Sequence, residues 1–448
     1  MLESVLAGRR RWSIVALLVG FSLVSYIERM NIAVAAQFMM PELGLTQVQM
    51  GQVFSAFVLG YALLQIPIGM LADRLGPARI LGWLGWMWAV LTILTGHLPG
   101  TWITAGAVLP ALIAIRFTLG LTVAGVYPLC ARTVANWMPV AERAFAYSFV
   151  IAGVSIGSSV TPPAVAWLMS TVGWRASFYL TAVPALAIAL VWRRSGADGP
   201  RTHPAISPRE REYILAGQHV EPAAPATVTT WLAIFRTPSL LFLSLSYFFV
   251  GYVLYVFVFW FFTYLVQVRE FSLVGSGAFT SLPFVVAFVL SPLGGAVCDT
   301  LTARHGARLG RRITAMAGML LAALCLAVGI QVDNAYLAVA ALSLAFGFQM
   351  SAESAFWSAT MDIAGRATGA ATGLINTLNN LGGVVSTALT PLLIEWFGWT
   401  VALGSCVAVS VGASLLWLGV QADTPLRTAA PDDARLDATP ANEGRAGS

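Results

Sequence analysis

Twelve apolar runs, each long enough to cross a bilayer as a helix, constrain this chain more than any other feature. They fall at roughly 12–40, 48–71, 79–96, 102–128, 142–169 and 176–192, then at 238–266, 273–297, 312–331, 335–360, 366–393 and 399–420. About 20 apolar residues suffice for a hydrocarbon layer about 30 Å thick. Between the two sets lies a polar segment, 193–237, rich in Pro, Ala and charge. The stretch 421–448 lacks periodicity and reads as a disordered tail. The expected fold class is therefore all-α integral membrane: a six-helix bundle over 1–192, a central loop over 193–237, a second bundle over 238–420 and a tail.

Composition agrees. With 58% hydrophobic and only 10% charged residues, and a mean hydropathy of +0.78, the chain lacks the polar groups to cover a water-facing surface. All 25 basic residues are Arg, which we read as GC-rich coding rather than mechanism. The net charge of +5 does not point to nucleic acid, because the Arg residues cluster in short segments between apolar runs. Arg9, Arg10, Arg11, Arg74, Arg79, Arg132, Arg143, Arg193, Arg194, Arg304, Arg308, Arg311 and Arg312 fall on one side; only Arg175 and Arg269 fall on the other. The positive-inside rule then puts both termini in the cytoplasm. The N-terminus reads as a retained first helix without a cleavage site. Cys130, Cys298, Cys325 and Cys406 are scattered and form no metal or disulfide pattern, and no nucleophile–base constellation marks an enzyme. No cofactor is expected.

The halves echo each other. Gly69 and Asp73 end the second run as Gly295 and Asp299 end the eighth; Gly173-Trp174 opens the sixth as Gly398-Trp399 opens the twelfth. A parallel repeat of this kind implies two bundles with a central site between them.

Gly69-Met-Leu-Ala-Asp73-Arg74-Leu-Gly76-Pro-Ala-Arg79 resembles the loop signature of the major facilitator superfamily, and Gly294-Gly295-Ala-Val-Cys-Asp299 with Arg304 repeats it weakly. More narrowly, the chain resembles the anion:cation symporter family, which includes sugar-acid importers and the relatives sialin and the vesicular glutamate transporters. The segments that carry this are Tyr26-Ile-Glu28-Arg29-Met-Asn31, Gly60-Tyr61-Ala-Leu-Leu-Gln65-Ile-Pro67, Arg116-Phe-Thr-Leu-Gly120, Asn136-Trp137-Met-Pro139, Gly173-Trp174-Arg175, Phe356-Trp357 and Asn376-Thr-Leu-Asn379-Asn380. The resemblance implies proton-driven import of a small organic anion, such as a sugar acid, across the cell (inner) membrane by a monomer. It also implies that Arg29 engages the substrate's anionic group, and that Asp73, with Arg74, Arg79 and the counterpart Asp299, gates the cytoplasmic rim. One departure is plain: many relatives carry Glu seven residues after the fourth-helix Arg, where this chain has Val123. An exchanger or exporter without proton coupling therefore stays open, and a non-transporting membrane sensor is a remote alternative.

Read physically, Arg29 and Arg116 are cations midway along apolar helices, where a charge is costly and usually has a partner and a purpose. Either locks the bundle, or it offers a planar fork to a carboxylate. Glu28 adjoins Arg29 but projects about 100° away on a helix, so it faces a neighbouring helix with Arg116 in reach. It serves either as a static partner or as a proton-coupled carboxylate. Gln349, Glu353, Trp357 and Thr360 share one stripe, with Glu353 a second candidate for the proton and Trp357 for the cavity wall. Asn376, Asn379, Asn380 and Gly383 form another face suited to hydroxylated substrates. Tyr61, Tyr247, Tyr252 and Tyr255 could add hydroxyl contacts. For each of these, packing is the alternative role. His97, His203, His219 and His305 fall in expected loops, which leaves carboxylates as the switchable groups.

Overall fold

The structure, a computed structural model, describes residues 9–97, 99–103, 105–218 and 228–426. Its helices in chain order are α1 (Arg10–Leu43), α2 (Gln47–Leu75), α3 (Pro77–His97), α4 (Ala105–Val123), α5 (Val126–Trp137), α6 (Val140–Ser195), α7 (Pro208–Ala216), α8 (Val228–Phe235), α9 (Pro238–Phe259), α10 (Phe261–Gln267), α11 (Leu273–Gln331), α12 (Ala335–Ala364) and α13 (Thr368–Leu416). Among the described residues nine helical stretches are long and apolar enough to cross a membrane, α4 and α5 counting together as one.

Three of the nine are too long for one crossing. Helix α6 has 56 residues, which at 1.5 Å each is about 84 Å against about 30 Å of hydrocarbon. It folds back at Gly173, as α11 does at Gly306 and α13 at Gly398. The backbone φ of +83° at Gly173 and +79° at Gly398 strains any side-chain-bearing residue, which explains why glycine opens both Gly-Trp pairs. Nine stretches with three doubled make twelve crossings. The sequence placed gaps of several residues at these points; the structure replaces each gap by a single bent residue or a short continuation. It also breaks the fourth crossing at Ala124-Gly125 and the seventh at Trp260, neither of which the apolar pattern registers.

The repeat recurs in three dimensions. A Cβ on Gly157 would lie 2.8 Å from the Leu23 carbonyl oxygen, and one on Gly382 would meet the Phe248 carbonyl oxygen. Both members differ by 225 positions (382 less 157, 248 less 23), so the first arm of α6 crosses α1 as the first arm of α13 crosses α9. With little hydrophobic drive between helices in lipid, close approach of backbones through small residues holds such crossings. Gly382→Leu should therefore force α9 and α13 apart and lower the apparent melting temperature in detergent by several degrees. An unshifted melting curve measured by size-exclusion fluorescence would contradict this packing.

Large side chains on the perimeter face outward, among them Trp83, Phe145, Trp167, Phe288 and Leu324. They form the lipid-facing surface of a multi-pass membrane protein.

The central segment is not a loose linker over its described part. Arg11, fully buried, donates from its main-chain nitrogen to Glu210 Oε1 at 2.9 Å and from Nε to Glu142 Oε2 at 3.2 Å; its guanidinium lies 5.0 Å from the Tyr213 ring centroid. The Tyr213 hydroxyl donates to Glu142 at 2.8 Å, and Trp137 Nε1 donates to the Ala197 carbonyl at 2.8 Å. Ser207 caps α7 by accepting from Glu210 N. The segment 195–218 is thus clasped onto the first bundle. His219 lies outside the described residues. So do residues 427–448 of the expected tail; residues 421–426, read as disordered, instead turn back, with Leu426 N donating to the Ile363 carbonyl at 2.6 Å.

His203 sits within this clasp. Its Nδ1 accepts from Ala205 N at 3.1 Å, and Nε2 lies 3.2 Å from the Ser195 carbonyl oxygen and 3.1 Å from Arg10 Nη2. Burial and then the Arg10 charge push its pKa below the ordinary value, outweighing the Ser195 carbonyl and Glu210. A depressed histidine pKa makes the neutral form the docked one, so its contribution is present above pH about 6.5 and is lost as pH falls through the folded value. Amide exchange over 195–218, corrected for intrinsic rates, should therefore speed up severalfold between pH 7.5 and 5.5, and His203→Gln should remove that dependence.

Candidate functional site

Arg29 lies in α1 where the two halves meet. Its guanidinium carbon is 4.9 Å from the Tyr26 ring centroid, 4.5 Å from Tyr61 and 5.8 Å from Phe57, all in the first bundle, and 6.0 Å from Tyr255 of α9 in the second. The residue is 5% exposed, and its Nε and Nη2 find no acceptor among the described residues. Aromatic faces attract a cation but accept no strong hydrogen bond, so these donors stay unspent. A buried ionised group left this way costs several kcal/mol, which an entering anion would repay.

The neighbouring Glu28 points the other way, as the 100° step requires. Its carboxylate is fully buried, accepts from Thr92 Oγ1 of α3 through Oε2, and leaves Oε1 without a partner. Arg116 approaches from α4. It donates from Nη1 to the Glu28 carbonyl oxygen at 3.0 Å and from Nη2 to Asn31 Oδ1 at 3.0 Å, and its charge acts on the Glu28 carboxylate through space. At 1% exposure Arg116 is enclosed within the first bundle, where these bonds tie it to α1 and leave its Nε without an acceptor among the described residues. Val123 ends α4 fully buried, at the break before Gly125, with no titratable atom to offer.

From the second bundle, Glu353 of α12 accepts from the Tyr247 hydroxyl of α9 at 2.5 Å. The Trp357 ring stands edge-on to Tyr247, with centroids 5.9 Å apart. Asn376 Nδ2 donates to Gln65 Oε1 at 2.8 Å, a direct bond between the halves. Tyr255 donates to Asn380 Oδ1 at 2.7 Å. Asn379 Nδ2 bonds the Tyr247 carbonyl oxygen and Gln349 Nε2 the Val250 carbonyl oxygen, while Thr360 bonds its own helix, so these three serve packing. Tyr252 turns to Ser405, away from the seam.

Sequence reasoning quoted Tyr26 and Gln65 within motifs but gave them no role, and it did not name Phe57 or Tyr127. Tyr26 is three residues before Arg29 and therefore on its face. Tyr127 reaches the same cluster, 3.4 Å from Ser25 Oγ, because α5 restarts just beyond the break at Gly125, which spacing alone does not reveal.

At the end bearing the central segment, the side chains of Asp73 and Arg74 lie outside the described residues. Arg79 is exposed near the start of α3. There Asp198 Oδ1 accepts from Ala78 N at 2.8 Å and packs against Gly76, so the turn between α2 and α3 is anchored by a residue the motif does not contain. Asp299 is 82% exposed and 3.9 Å from Arg311 Nη1, whereas Asp362 receives the shorter bond, 2.8 Å from Arg311 Nε. An exposed pair as long as the first contributes little. His97 closes α3, bonded to the Tyr179 hydroxyl at 2.9 Å, and His305 lies in α11 beside the Gly306 bend.

Beyond Gln65–Asn376, the described contacts between the halves run toward the end away from the central segment. Ser55 Oγ donates to the Val384 carbonyl at 2.6 Å, and Gln47 bonds Gln267 at 2.9 Å. Phe54 stacks on Phe259 at 4.7 Å, Gly51 meets Thr387 and Pro391, and Gly277 meets Pro162 and Ala166.

Two like six-helix halves joined at one end define the architecture of a membrane transporter. The sequence pattern of the Major Facilitator Superfamily matches residues 17–387 and again 300–444. The chain belongs to the major facilitator superfamily, in its anion:cation symporter branch. It is 35% identical to the "Probable sulfoacetate transporter SauU" of Cupriavidus necator, over 84% of this chain and 85% of that one. It is 30% identical to the D-galactonate transporter of Escherichia coli O6:H1, over 92% and 95% of the two chains. Among solved structures, the inward-facing, unoccupied bacterial homologue of the human lysosomal transporter Spinster superposes with a TM-score of 0.76 at 18% identity, covering 92% of this chain and 97% of that one. The D-xylose–proton symporter superposes at 0.73 with 13% identity, over 92% and 99%.

Proposed function

We propose that this protein imports a small organic anion, a hydroxylated carboxylate such as a sugar acid, by proton symport through alternating access. The observation that carries the reading is Arg29: a buried cation with unspent donors at the junction of the halves. The names of two relatives, a probable sulfoacetate transporter and a D-galactonate transporter, favour an anionic substrate. Residues 1–192 and 238–420 act as the two rocking bodies, and 193–237 tethers them on the cytoplasmic side of the cell membrane with both termini. The monomer is the working unit.

In this reading Arg29 holds the carboxylate, Tyr61, Trp357 and Asn376 line the path, and Glu28 carries the coupled proton. Asp73, Arg74, Arg79 and Asp299 gate the cytoplasmic rim. A neutral residue at Val123 favours a second reading, exchange of organic anions without protons. Uptake of radiolabelled D-galactonate into proteoliposomes separates them. Accumulation that follows an imposed inward proton gradient is expected for symport; uptake that needs internal anion and ignores the gradient identifies an exchanger.

Asp73→Asn is expected to cut transport at least tenfold while leaving equilibrium binding in detergent, since a gate alters exchange rates more than contacts. Binding and transport lost together, at normal expression, would end the gate assignment.

A further inference from the structure

The contacts that join the halves at the end away from the central segment come in two matching sets. On α2, Gly51 and Ser55 stand about one turn apart. A Cβ on Gly51 would lie 2.7 Å from the Thr387 carbonyl oxygen and 2.6 Å from Pro391 Cγ of α13, and Ser55 Oγ donates to the Val384 carbonyl at 2.6 Å. On α11, Gly277 and Ser281 repeat the spacing. A Cβ on Gly277 would lie 2.9 Å from the Pro162 carbonyl oxygen and 2.8 Å from Ala166 Cβ of α6, and Ser281 Oγ donates to the Ser159 carbonyl. The α2 and α11 members differ by 226 positions (277 less 51, 281 less 55), and their partners by 225 (387 less 162, 391 less 166, 384 less 159). The seam is thus closed by one device used twice, once in each direction across the repeat. Prolines supply part of it. Pro163 and Pro391 carry no N–H, so the Ser159 and Thr387 carbonyls lack their usual partner four residues on. Ser281 takes up the first, and the bare backbone of Gly51 lies against the second.

We propose that these paired glycine–serine steps are the lock that closes the outer end of the carrier, and that glycine at both 51 and 277 sets its inward-facing resting state. The inference rests on the alternating access of the proposed function, and on no assignment of substrate or proton. The nearest atoms that each added Cβ would meet all belong to the opposite half: main chain and proline ring for Gly51, main chain and the Ala166 methyl for Gly277. None is the end of a flexible side chain that could swing aside, so in a close-packed seam the halves themselves must separate. A side chain at either position therefore blocks closure at this end without touching its own bundle. Gly382 differs, because its neighbour is α9 of the same half. Since the halves move as bodies, one wedge opens both locks, and two wedges open them no further.

Nitroxide labels at Thr46→Cys and Val268→Cys, both exposed beside the Gln47–Gln267 bond, report the opening of the seam by pulsed electron–electron double resonance. Cys325, half-buried, is replaced by Ser; Cys130, Cys298 and Cys406 are buried and stay. In the purified, unliganded full-length parent the label distance should be short. In Gly51→Leu and in Gly277→Leu it should lengthen equally, by roughly 5–10 Å, up to one helix diameter. The double variant should match either single one, and uptake should be lost in all three. Parental distances in both single variants overturn the lock. So does a change in only one of them, and so does a parent already at the long distance. Where a leucine variant fails to elute as a single species, Ser281→Ala decides in its place. It removes the donor to the Ser159 carbonyl without adding bulk, so the long-distance population should grow. Growth should be smaller in Ser55→Ala, whose partner Val384 precedes Ala388, not a proline, by four residues. An unchanged distribution in Ser281→Ala then overturns the lock. Distances that behave as expected in a protein that takes up no organic anion would leave the lock standing and remove the proposed substrate.

Discussion

Arg29→Ala is expected to abolish uptake and to raise, not lower, the thermal stability of the unliganded protein. Both effects come from the same unspent donors. A charge-assisted hydrogen bond contributes roughly 1.5–3 kcal/mol, so losing even one costs on the order of tenfold to a hundredfold in affinity. Without substrate the cation is buried among rings with Nε and Nη2 unbonded, a cost that alanine removes. Arg29→Lys should restore little transport, because an ammonium cannot present the planar fork. Uptake by Arg29→Gln within twofold of the parent would remove Arg29 from the site, and a lower melting temperature in Arg29→Ala would mean that the guanidinium braces the bundle instead.

Glu28→Gln is expected to lose gradient-driven accumulation while retaining counterflow of substrate against substrate. The two side chains project to different sides of α1, yet they are consecutive, so an anion on Arg29 withdraws positive field from the Glu28 carboxylate. Substrate should then raise its proton affinity, and linkage requires the reverse: protonation tightens substrate binding by the same factor. The orphaned Oε1 and the single Thr92 donor leave room for a proton, and the nearby Arg116 opposes it. Lower external pH should therefore stimulate parental uptake. Accumulation by Glu28→Gln that still tracks the gradient would locate coupling elsewhere.

Much of this architecture is legible in the sequence, because lipid thickness sets the length of an apolar run and Gly-Trp pairs mark the reversals. The burial of Arg29 and Glu28 on different sides of α1 is legible too, since a charge within such a run is conspicuous and helical geometry separates neighbours. Arg116 was not. Spacing fixes which face of α4 it occupies but not which neighbour that face meets, and the neighbour turned out to be the main chain of α1. Asp198 and the clasp of Arg11 by Glu210 and Glu142 were equally hidden, because polar loop residues carry no periodicity and their partners lie far away in sequence. The break at Gly125 escaped because a short kink leaves hydropathy unchanged.

The seam remote from the central segment is made of ring stacking, glycine contacts and bonds between uncharged groups: Ser55 to Val384, Gln47 to Gln267, Phe54 on Phe259. Among the described residues no ion pair crosses this seam, so parting it pulls no ions from one another and leaves dissolved salt little to screen. Opening at this end should run at much the same rate in dilute buffer as in brine, whereas the charged cytoplasmic gate and the capture of an anion by Arg29 should respond to ionic strength.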